Sequence, residues 1–366
     1  MKFLRDTVLS ARFWKGSPKY ERRDSTLSVT VVIPAWNEED FISATIESVL
    51  AQDYPVNVIV VNDRSSDRTQ EIAESYENVF VINVEQKQGS KSQALNYAIP
   101  YVKTDIFICV DADSELEPNS VRNLMRAFNN ENVMVASGFV VSKGTDTFWQ
   151  CGRRGEYIVG QYVTKSAQEN INSVFVASGC FFGIRTWFLA EHKFNDRTMA
   201  EDMDLTWVAV ENGYDVTFVQ NAFVHVNDPV DYKTYYNQVH RWFAGFFQNI
   251  KVRNYNLFKN STKLGTVVYL YMLLSLLGWP TAVIFTLIGS MINPFLVLTF
   301  FGAAFIVLLL PALFYGMVNR EKDFLRFPWY VFCMFLVSFV NYYIFVKAGY
   351  KELVKEEKLE VWIKGH

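Results

Sequence analysis

The stretch Asp105-Ile106-Phe107-Ile108-Cys109-Val110-Asp111-Ala112-Asp113 is a short apolar run that ends in two carboxylates one residue apart. Residues 106–110 are β-branched, aromatic or small, which is typical of a strand buried on both faces, so Asp111 and Asp113 fall at its C-terminal edge. In an open α/β sheet this edge is where ligands bind. Paired carboxylates suit Mg²⁺ or Mn²⁺, which in turn can hold a diphosphate. The alternative is a solvated loop with two acids.

Alternating strand and helix patterns surround this stretch. Strands are predicted over 28–35, 56–61, 79–84, 105–113 and 133–141, and helices over 39–52, 67–76, 92–101 and 118–128, with a longer helical segment over 147–168. Alternation at this spacing predicts an α/β fold with a mostly parallel, doubly wound, Rossmann-like sheet and right-handed crossovers. The carboxyl ends of its parallel strands then face one crevice.

Three earlier strand ends carry polar motifs that open on the same crevice. They are Pro34-Ala35-Trp36-Asn37-Glu38-Glu39, Asn62-Asp63-Arg64-Ser65-Ser66-Asp67 and Gly89-Ser90-Lys91-Ser92-Gln93-Ala94-Leu95-Asn96. A carboxylate at a strand end can accept hydrogen bonds from a base or a ribose, and a lysine at a helix start can meet a phosphate. Each motif alone also suits a turn or a helix cap. Their convergence on one crevice favours a ligand site.

The second half of the chain contains long segments without charge. The 366 residues are 50% hydrophobic and 16% aromatic, and no charged residue occurs in 264–319 or 327–346. These runs predict membrane-spanning helices, the first crossing twice with a turn at Ile292-Asn293-Pro294, so that three crossings are expected. The net charge of −3 argues against nucleic acid as a general partner.

Cysteine and histidine usage does not indicate redox or zinc chemistry. The four cysteines form no C-x-x-C pair, and His192, His225 and His240 have no metal-ligand spacing. His225 lies in an apolar strand over 222–226 and is predicted to be a packed core histidine rather than an extra metal ligand. A reduced, cytosol-facing globular half is therefore expected.

Both ends of the chain are basic. Residues 1–24 hold seven Lys and Arg interleaved with apolar residues, which suits a helix lying on an anionic membrane face, or else a frayed basic terminus; no cleavable signal is predicted. The basic loop 320–326 is predicted to lie inside, which makes 264–319 a hairpin. A third crossing then exports the tail 347–366, although that tail carries five lysines. Either the last apolar segment is re-entrant or the charge rule fails here.

Two further motifs complete an ordered set. After P-x-x-N-E, N-D-R-S-S-D, G-S-K-x-x-A-L-N and D-A-D come Ala200-Glu201-Asp202 and Gln238-Val239-His240-Arg241-Trp242. This set, over roughly residues 28–250, resembles the inverting membrane glycosyltransferases of family two, which include hyaluronan, chitin, cellulose and poly-N-acetylglucosamine synthases. Ceramide glucosyltransferase is a related family with the same signature. The resemblance implies a GT-A type nucleotide-sugar domain and a metal-dependent transfer from a UDP-sugar.

The resemblance also implies a role for each matching residue. The residues that would bind the nucleotide diphosphate are Pro34, Glu38, Asp63, Lys91, Asp111 and Arg241. Asp113, with Asp111, would ligate Mn²⁺ or Mg²⁺, and Asp202 would be the catalytic base. The residues on the acceptor side would be Gly179, Glu201, Gln238 and Trp242. One departure is Asn62-Asp63-Arg64 where the family has two aspartates and a glycine, which leaves the nucleotide preference open.

The chemistry of these residue types agrees with the implied roles. A leaving diphosphate must be neutralised, which a metal ion, Lys91 and Arg241 would do. Asp202 opens a predicted helix over 202–211, although an acid there also suits the helix dipole. Gln238, Arg241 and Trp242 share one helical face. Such a face is also compatible with an amphipathic helix resting on the membrane.

The predicted organisation has five parts. They are a membrane-surface segment (1–24), a cytosolic GT-A domain (25–230), interface helices (231–262), about three transmembrane helices (263–348) and a Lys-rich tail (349–366). The expected partners are a UDP-sugar donor, a saccharide or lipid acceptor, membrane lipids and, as an option, a second copy of the chain. The expected function is polysaccharide synthesis at the cytosolic face of the cell membrane. The alternatives are a single-addition glycolipid synthase, since three crossings are few for a polymer conduit, and an inactive nucleotide-sugar-binding scaffold.

Overall fold

The computed structural model describes residues 24–85, 89–170, 174–253 and 262–359. The predicted membrane-surface segment, apart from Asp24, and the last tail residues, 360–366, lie outside these ranges. The chain divides into two compact units, the first drawn from 1–141 and 166–227 and the second from 142–165 and 228–366. Residues 142–165, which lie within the predicted 25–230 domain, therefore belong to the same unit as the apolar C-terminal helices.

An eight-stranded sheet forms the centre of the first unit. Its strands are β1 (Val29–Ala35), β2 (Asn57–Asn62), β3 (Val79–Asn83), β4 (Ile106–Val110), β5 (Glu115–Leu116), β6 (Val133–Ser142), β7 (Phe181–Arg185) and β8 (Asp215–Val226). Their spatial order is β3-β2-β1-β4-β7-β6-β8-β5. The run β3-β2-β1-β4 is parallel, whereas β7 pairs antiparallel with both β4 and β6, and β5 with β8. The predicted α/β fold is confirmed, and the sheet is mixed because pairing reverses beyond β4.

Strand β4 has the burial that its sequence predicts. All five of its side chains are buried, because β1 and β7 flank it on either side and helices cover the sheet. The strand ends at Val110, one residue before Asp111. The two carboxylates therefore stand at the carboxyl end of the central parallel strands, where β1 and β2 also end.

Twelve helices occur in the described ranges, with short 3₁₀ and π turns between some of them. They are α1 (Ile42–Leu50), α2 (Thr69–Glu74), α3 (Lys91–Ala98), α4 (Ser120–Met125), α5 (Phe148–Val159), α6 (Ser166–Asn170), α7 (Thr186–His192), α8 (Glu201–Glu211), α9 (Tyr232–Val252), α10 (Thr262–Ile292), α11 (Pro294–Val318) and α12 (Phe327–Gly349). Helices α5 and α9–α12 belong to the second unit. The helical segment predicted over 147–168 is confirmed: α5, a π-helical turn over Gly160–Lys165, and α6 follow one another without a break.

Three helices at the C-terminal end are long and apolar enough to cross a membrane, namely α10, α11 and α12 with its flanking turns. The turn between the first two falls at Asn293, as predicted: its side chain caps α11 by accepting a hydrogen bond from Phe295 N, and Pro294 occupies the first helical position. A proline there forgoes only a donor that the helix could not use.

Candidate active site

The motifs after β1 and β2 fold into two loops that bind each other. The Asn37 main-chain N–H donates to Ser65 Oγ (3.0 Å), and Asn37 Oδ1 accepts from Ser66 N (2.8 Å). The Glu38 N–H donates to Thr69 Oγ1 (2.7 Å). Asn37 adopts a left-handed backbone (φ 55°), which asparagine tolerates better than most residues. These polar residues thus build a shared platform beside the crevice.

The predicted nucleotide residues lie on this platform. Glu38 and Asp63 are buried, with 9% and 6% of their surface exposed, and the Asp63 N–H donates to the carbonyl of Ala35 (2.8 Å). Pro34 is in β1, opposite Val61 of β2. Strand pairing therefore brings Pro34, Glu38 and Asp63 to neighbouring strand ends.

Asn62 is the departure from the family pattern, and its side chain is hydrogen-bonded within the protein. Its side-chain amide donates to Asn83 Oδ1 (2.8 Å), and its Oδ1 accepts from Ser65 N (3.1 Å). Arg64, which replaces the family's glycine, keeps a left-handed backbone (φ 58°) and donates to the Glu85 carbonyl (2.5 Å). Position 64 thus adopts a backbone conformation that glycine would adopt at no steric cost.

A cluster formed by Lys91, Asp111, Gly179 and Asp202 occupies the end of β4. Lys91 Nζ forms an ion pair with Asp111 Oδ1 and donates to the Gly179 carbonyl (2.9 Å). The Gly179 N–H donates to Asp202 Oδ2 (2.8 Å). The Gly179 peptide therefore connects the lysine to the aspartate of the second motif, although the four residues come from four separate stretches of sequence.

Local structure explains how each side chain reaches this cluster. Ser90 caps α3 by accepting from Gln93 N, so Lys91 is the first helical residue. Asp202 lies in the first turn of α8, whose other acids include Glu201, and its Oδ1 accepts from Met203 N (2.7 Å). A carboxylate at a helix N-terminus is favoured by the helix dipole. Asp202 therefore lies where the helix dipole favours a negative charge, and its carboxylate also accepts a hydrogen bond from the Gly179 loop.

The charges in the cluster hold Lys91 as a cation. Burial alone would favour the neutral amine, but the adjacent Asp111 carboxylate, with Glu201 farther off, keeps the pKa of Lys91 well above its usual value. The positive charge of Lys91 also balances the negative charges of two neighbouring carboxylates, Asp111 and Glu201. Burial raises the pKa of the Cys109 thiol, whose Sγ points at the Gly179 carbonyl (3.5 Å); it is therefore a packing residue.

Asp113 completes the predicted metal pair. Its carbonyl accepts from Asn227 Nδ2 (3.1 Å), and its Oδ1 accepts from Ser114 Oγ (3.2 Å). Within the described ranges, no group of three or more His, Cys, Asp or Glu could hold a metal ion by itself. Mg²⁺ and similar ions need only one or two carboxylates when substrate phosphates and water supply the remaining ligands. The residues therefore fit an ion that is held jointly with a diphosphate.

His225 was predicted to be a packed core histidine, and this prediction is wrong. Its strand is correct, since it lies in β8 opposite Glu115 of β5. However, 34% of its side chain is exposed, and its Nε2 lies 3.1 Å from Glu117 Oε1. The two-residue strand β5 ends the sheet at this point, so the ring meets an edge carboxylate rather than a core.

Gln238, Arg241 and Trp242 belong to the second unit and lie on α9. Gln238 Oε1 accepts from Arg153 Nη2 (3.0 Å). The guanidinium carbon of Arg153 also lies 4.7 Å from the Trp242 ring centroid and 4.5 Å from that of Tyr235. One residue of α5 therefore contacts three positions of one α9 face. Gln238 is thus occupied by a partner within the protein.

Arg153 stands at the centre of a buried charged network that sequence reasoning did not find. It pairs with Glu156 Oε2 (2.7 Å) and lies 3.8 Å from Asp228 Oδ1. Glu156 in turn accepts from Asn341 of α12. The available signals were the charged G-R-R-G-E sequence inside an amphipathic helix and a lone asparagine in the apolar run 327–346. Neither signal identifies its partner.

The fold and the cluster at the end of β4 define an α/β domain of the GT-A type with an attached apolar helical unit. Residues 30–190 match the family described as Glycosyl transferase family 2. This part of the chain is a family 2 glycosyltransferase domain.

Two relatives agree with this assignment. A probable glycosyltransferase, YdaM, of Bacillus subtilis (strain 168) is 29% identical over 246 residues, covering 64% of this chain and 59% of the relative. A hyaluronan synthase of Streptococcus pyogenes serotype M3 is 27% identical over 256 residues, with the same coverage of 64% and 59%. The chain thus spans about three-fifths of the length of these relatives.

The structure of the mannosyltransferase PcManGT from Pyrobaculum calidifontis, in complex with GDP-Man and Mn²⁺, superposes with a TM-score of 0.61. The match covers 92% of this chain and 96% of that chain at 17% sequence identity. At this identity the likeness establishes the shared fold alone.

The first prediction concerns Gly179, where an added Cβ would fit tightly against two side chains of the cluster. A Cβ there would lie 3.0 Å from Asp202 Oδ2 and 3.4 Å from Lys91 Nζ. Gly179→Ala should lower the turnover number by about 10-fold, because Asp202 must shift by a few tenths of an ångström, less than the one-ångström displacement that costs about 10²-fold, while the melting temperature stays near normal. Turnover and thermal unfolding of the purified protein measure both.

Gly160→Ala is the matched control, because no atom lies within 4 Å of a Cβ added at Gly160. Its turnover should equal that of the unmodified chain. Equal turnover in the Gly179→Ala variant would show that the Gly179 contacts do not position the cluster.

The second prediction concerns Asp228, whose pKa is shifted mainly by burial. Only 1% of its side chain is exposed, and burial raises its pKa to about 6, with Arg153 opposing the shift. A carboxyl group whose pKa is raised on folding stabilises the fold below its unfolded pKa of about 4, and this contribution is lost as pH rises through about 6. Asp228→Asn should remove that part of the pH dependence, worth on the order of 1–3 kcal/mol.

Melting temperatures between pH 4 and pH 7 in one detergent test this prediction. The melting temperature of Asp228→Asn relative to the unmodified chain should rise with pH across this window. Burial also raises the pKa of Glu156, so Asp228→Asn combined with Glu156→Gln should change the pH dependence of the melting temperature more than Asp228→Asn alone. Parallel pH profiles for Asp228→Asn and the unmodified chain would contradict the assignment.

Proposed function

We propose that the chain is a membrane-bound, inverting glycosyltransferase that moves a sugar from a UDP-sugar to a saccharide acceptor at the cytosolic face of the cell membrane. The observation that carries this proposal is the cluster of Lys91, Asp111, Gly179 and Asp202 at the end of β4. It places a fixed cation and an oriented carboxylate together within a family 2 glycosyltransferase domain.

In this proposal the donor binds across the platform at the ends of β1, β2 and β4. Glu38 and Asp63, with Pro34 beneath, receive the nucleoside, because their acceptor oxygens suit a base and a ribose. Lys91 faces the diphosphate and opposes the negative charge that develops as it leaves. Asp113 and Asp111 hold Mn²⁺ or Mg²⁺, which when bound supplies Lewis-acid charge to the diphosphate oxygens.

Asp202 acts as the general base. One carboxylate oxygen is held by the Gly179 N–H and the other by Met203 N, so the group has a defined orientation. It accepts the proton of the acceptor hydroxyl while the hydroxyl oxygen forms a bond to the anomeric carbon. The bond from that carbon to the diphosphate oxygen breaks on the opposite face. The configuration at the anomeric carbon is inverted.

The acceptor side is assigned to α9 together with Gly179 and Glu201. An indole presents a flat apolar face that suits the C–H face of a sugar. The guanidinium of Arg153 lies over one face of the Trp242 ring. The terminal sugar of the acceptor is proposed to stack on this indole. Gln238 is proposed to act by holding Arg153 rather than by touching the acceptor, and Arg241, with its planar fork, to bind the diphosphate.

A single-addition glycolipid synthase is the second candidate function. It is favoured by the small membrane region, with only three apolar helices in the described ranges, which is few for a conduit within one chain. A panel of radiolabelled UDP-sugars, followed by sizing of the product, separates the two. A ladder of products indicates a polymer synthase, and a single lipid-soluble product indicates the alternative. Binding of UDP-sugar without any transfer would identify a non-catalytic scaffold.

The third prediction separates chemistry from binding. As general base, Asp202 acts in the transition state rather than in nucleotide affinity. Asp202→Asn should lower kcat by about 10²–10⁴-fold, the usual contribution of such catalysis, with the Kd for UDP unchanged. Calorimetric UDP titration and initial rates give the two numbers.

Glu211→Gln, which removes a carboxylate from the last turn of the same helix, serves as the control and should retain full kcat. A comparable loss of UDP affinity in Asp202→Asn would instead make Asp202 a nucleotide contact or a structural group.

The fourth prediction concerns metal. If Asp113 ligates an ion shared with the diphosphate, Asp113→Asn should lose the Mn²⁺ or Mg²⁺ dependence of UDP affinity together with turnover. The readout is the Kd for UDP measured with the ion and with EDTA. Glu115→Gln, two residues away in β5, should keep the ion dependence. Full activity of the unmodified chain in EDTA would refute the metal assignment.

A further inference from the structure

The side chain of Arg153 is buried against the α9 face that carries Gln238 and Trp242. Only 5% of the side chain is exposed, and its guanidinium carbon lies 4.5 Å from the Tyr235 ring centroid and 4.7 Å from that of Trp242. Its Nη2 donates to Gln238 Oε1 (3.0 Å). A desolvated guanidinium over an aromatic face is attracted by the ring quadrupole. Arg153 therefore contacts the Trp242 ring directly and the same helix again one turn earlier.

Carboxylates fix the orientation of this guanidinium. Arg153 Nη1 donates to Glu156 Oε2 (2.7 Å), and its Nε lies 3.8 Å from Asp228 Oδ1. Glu156 also accepts from the Tyr235 hydroxyl (3.3 Å) and from Asn341 Nδ2 of α12. Burial raises the pKa of both carboxyl groups, and Arg153 is the cation that opposes the rise. Turning the guanidinium away would separate it from both carboxylates, which is costly in a buried site.

Two glycines on either side of Arg153 fix the backbone of α5. A Cβ added at Gly152 would lie 2.7 Å from Val337 Cγ2 of α12, and one added at Gly155 would lie 2.5 Å from the Tyr330 carbonyl oxygen. Residues three apart share a helical face, so this face of α5 lies directly on α12. The starting point of the Arg153 side chain is therefore set by backbone packing.

An ordered indole is a better sugar platform than a mobile one. A ligand that must immobilise a side chain loses part of its binding free energy in doing so, and the Trp242 side chain is only half-buried. Arg153 holds that ring before any ligand arrives. Arginine suits this role because its planar group can stack on rings while it donates hydrogen bonds in its own plane, whereas lysine is a point charge.

We propose that Arg153 is a positioning residue for the acceptor. It fixes the Trp242 indole, and it thereby sets the affinity for the acceptor's terminal sugar and the share of donor turnover that ends in transfer rather than hydrolysis. The inference rests on the proposed function above, which assigns Trp242 to the acceptor. Since Arg153 acts through the ring and touches neither substrate, its effect falls on the acceptor KM and not on UDP affinity.

The variant Arg153→Lys separates charge from orientation. Lysine keeps a cation beside Glu156 and Asp228, but its ammonium cannot stack on two rings and donate to Gln238 at the same time. The assay uses the full chain in lipid nanodiscs with the radiolabelled UDP-sugar that it turns over. The probe acceptors are octyl β-glucoside and octyl β-N-acetylglucosaminide, which carry both a terminal sugar and an apolar tail.

Two readouts divide transfer from hydrolysis. Radiolabel on the octyl glycoside measures transfer, and released UDP measures total turnover. In hydrolysis, water takes the place of the acceptor hydroxyl: its oxygen bonds to the anomeric carbon, Asp202 accepts its proton, and UDP leaves. The difference between the two readouts is therefore the hydrolysed share.

Arg153→Lys should raise the KM for the octyl glycoside by about 10-fold, the scale of one lost cation–π contact in a desolvated site. The hydrolysed share should increase, while the Kd for UDP and the melting temperature equal those of the unmodified chain. In a Trp242→Ala background, Arg153→Lys should not change the hydrolysed share further. A further change there would show that Arg153 acts by another route and would overturn the inference.

Arg154→Lys is the matched control. Arg154 is the next residue of α5 and is also buried, but it pairs with Glu321 (3.0 Å) and Asp323 (3.2 Å) rather than with α9. Its acceptor KM should be unchanged.

Three results would overturn the inference and leave the proposed function standing. They are an unchanged acceptor KM in Arg153→Lys, an equal rise in Arg154→Lys, and a fall in melting temperature with loss of UDP affinity in Arg153→Lys, which would make Arg153 a structural group. If the unmodified chain transfers sugar to no acceptor, the proposed function itself fails, and the inference fails with it.

Discussion

The peptide of Gly179 is the constraint on which the candidate site depends. Its carbonyl accepts from Lys91 and its N–H donates to Asp202, so one rigid amide sets the separation between a cation and a carboxylate. Lys91 is also paired with Asp111, which links the peptide to the end of β4. A part-buried pair of this kind adds little to stability once desolvation is counted. Its effect is to hold charge in a defined place.

The platform beside this cluster is also held in place by hydrogen bonds, here between neutral groups. Asn37, Ser65, Ser66 and Thr69 bind the loops after β1 and β2 to each other, and Asn62 holds the ends of β2 and β3. Motifs that look like separate nucleotide contacts in sequence are therefore partly the structure of the crevice. Asn62 and Arg64, the two departures from the family pattern, both take part in this structure, through Asn83 and Ser65 and through the Glu85 carbonyl respectively.

The second unit contains its own charged centre. Arg153 contacts Gln238, Tyr235 and Trp242 of α9 as well as Glu156 and Asp228, so the α9 motif is held by a residue from a different part of the chain. Through Glu156 the network reaches Asn341 of α12. A helix that is apolar enough to cross a membrane is thus attached by a polar contact to helices that are not. These polar contacts, which its hydropathy does not indicate, hold α12 against α5 and α9.

The sequence by itself determined the α/β alternation, the buried strand β4 with Asp111 and Asp113 at its end, the helix whose first turn holds Asp202, and the hairpin turn at Asn293. These features follow from local periodicity, capping and turn chemistry, which need only near neighbours in the chain. Tertiary structure alone decided the antiparallel half of the sheet, the ion pair of Lys91 with Asp111, the edge position of His225 and the membership of α5 in the second unit. It also decided the packing of α12, because a hydropathy pattern cannot distinguish lipid from protein as the neighbour of an apolar side chain. Each of these depends on which distant residue a side chain meets, and that pairing is set by the fold as a whole.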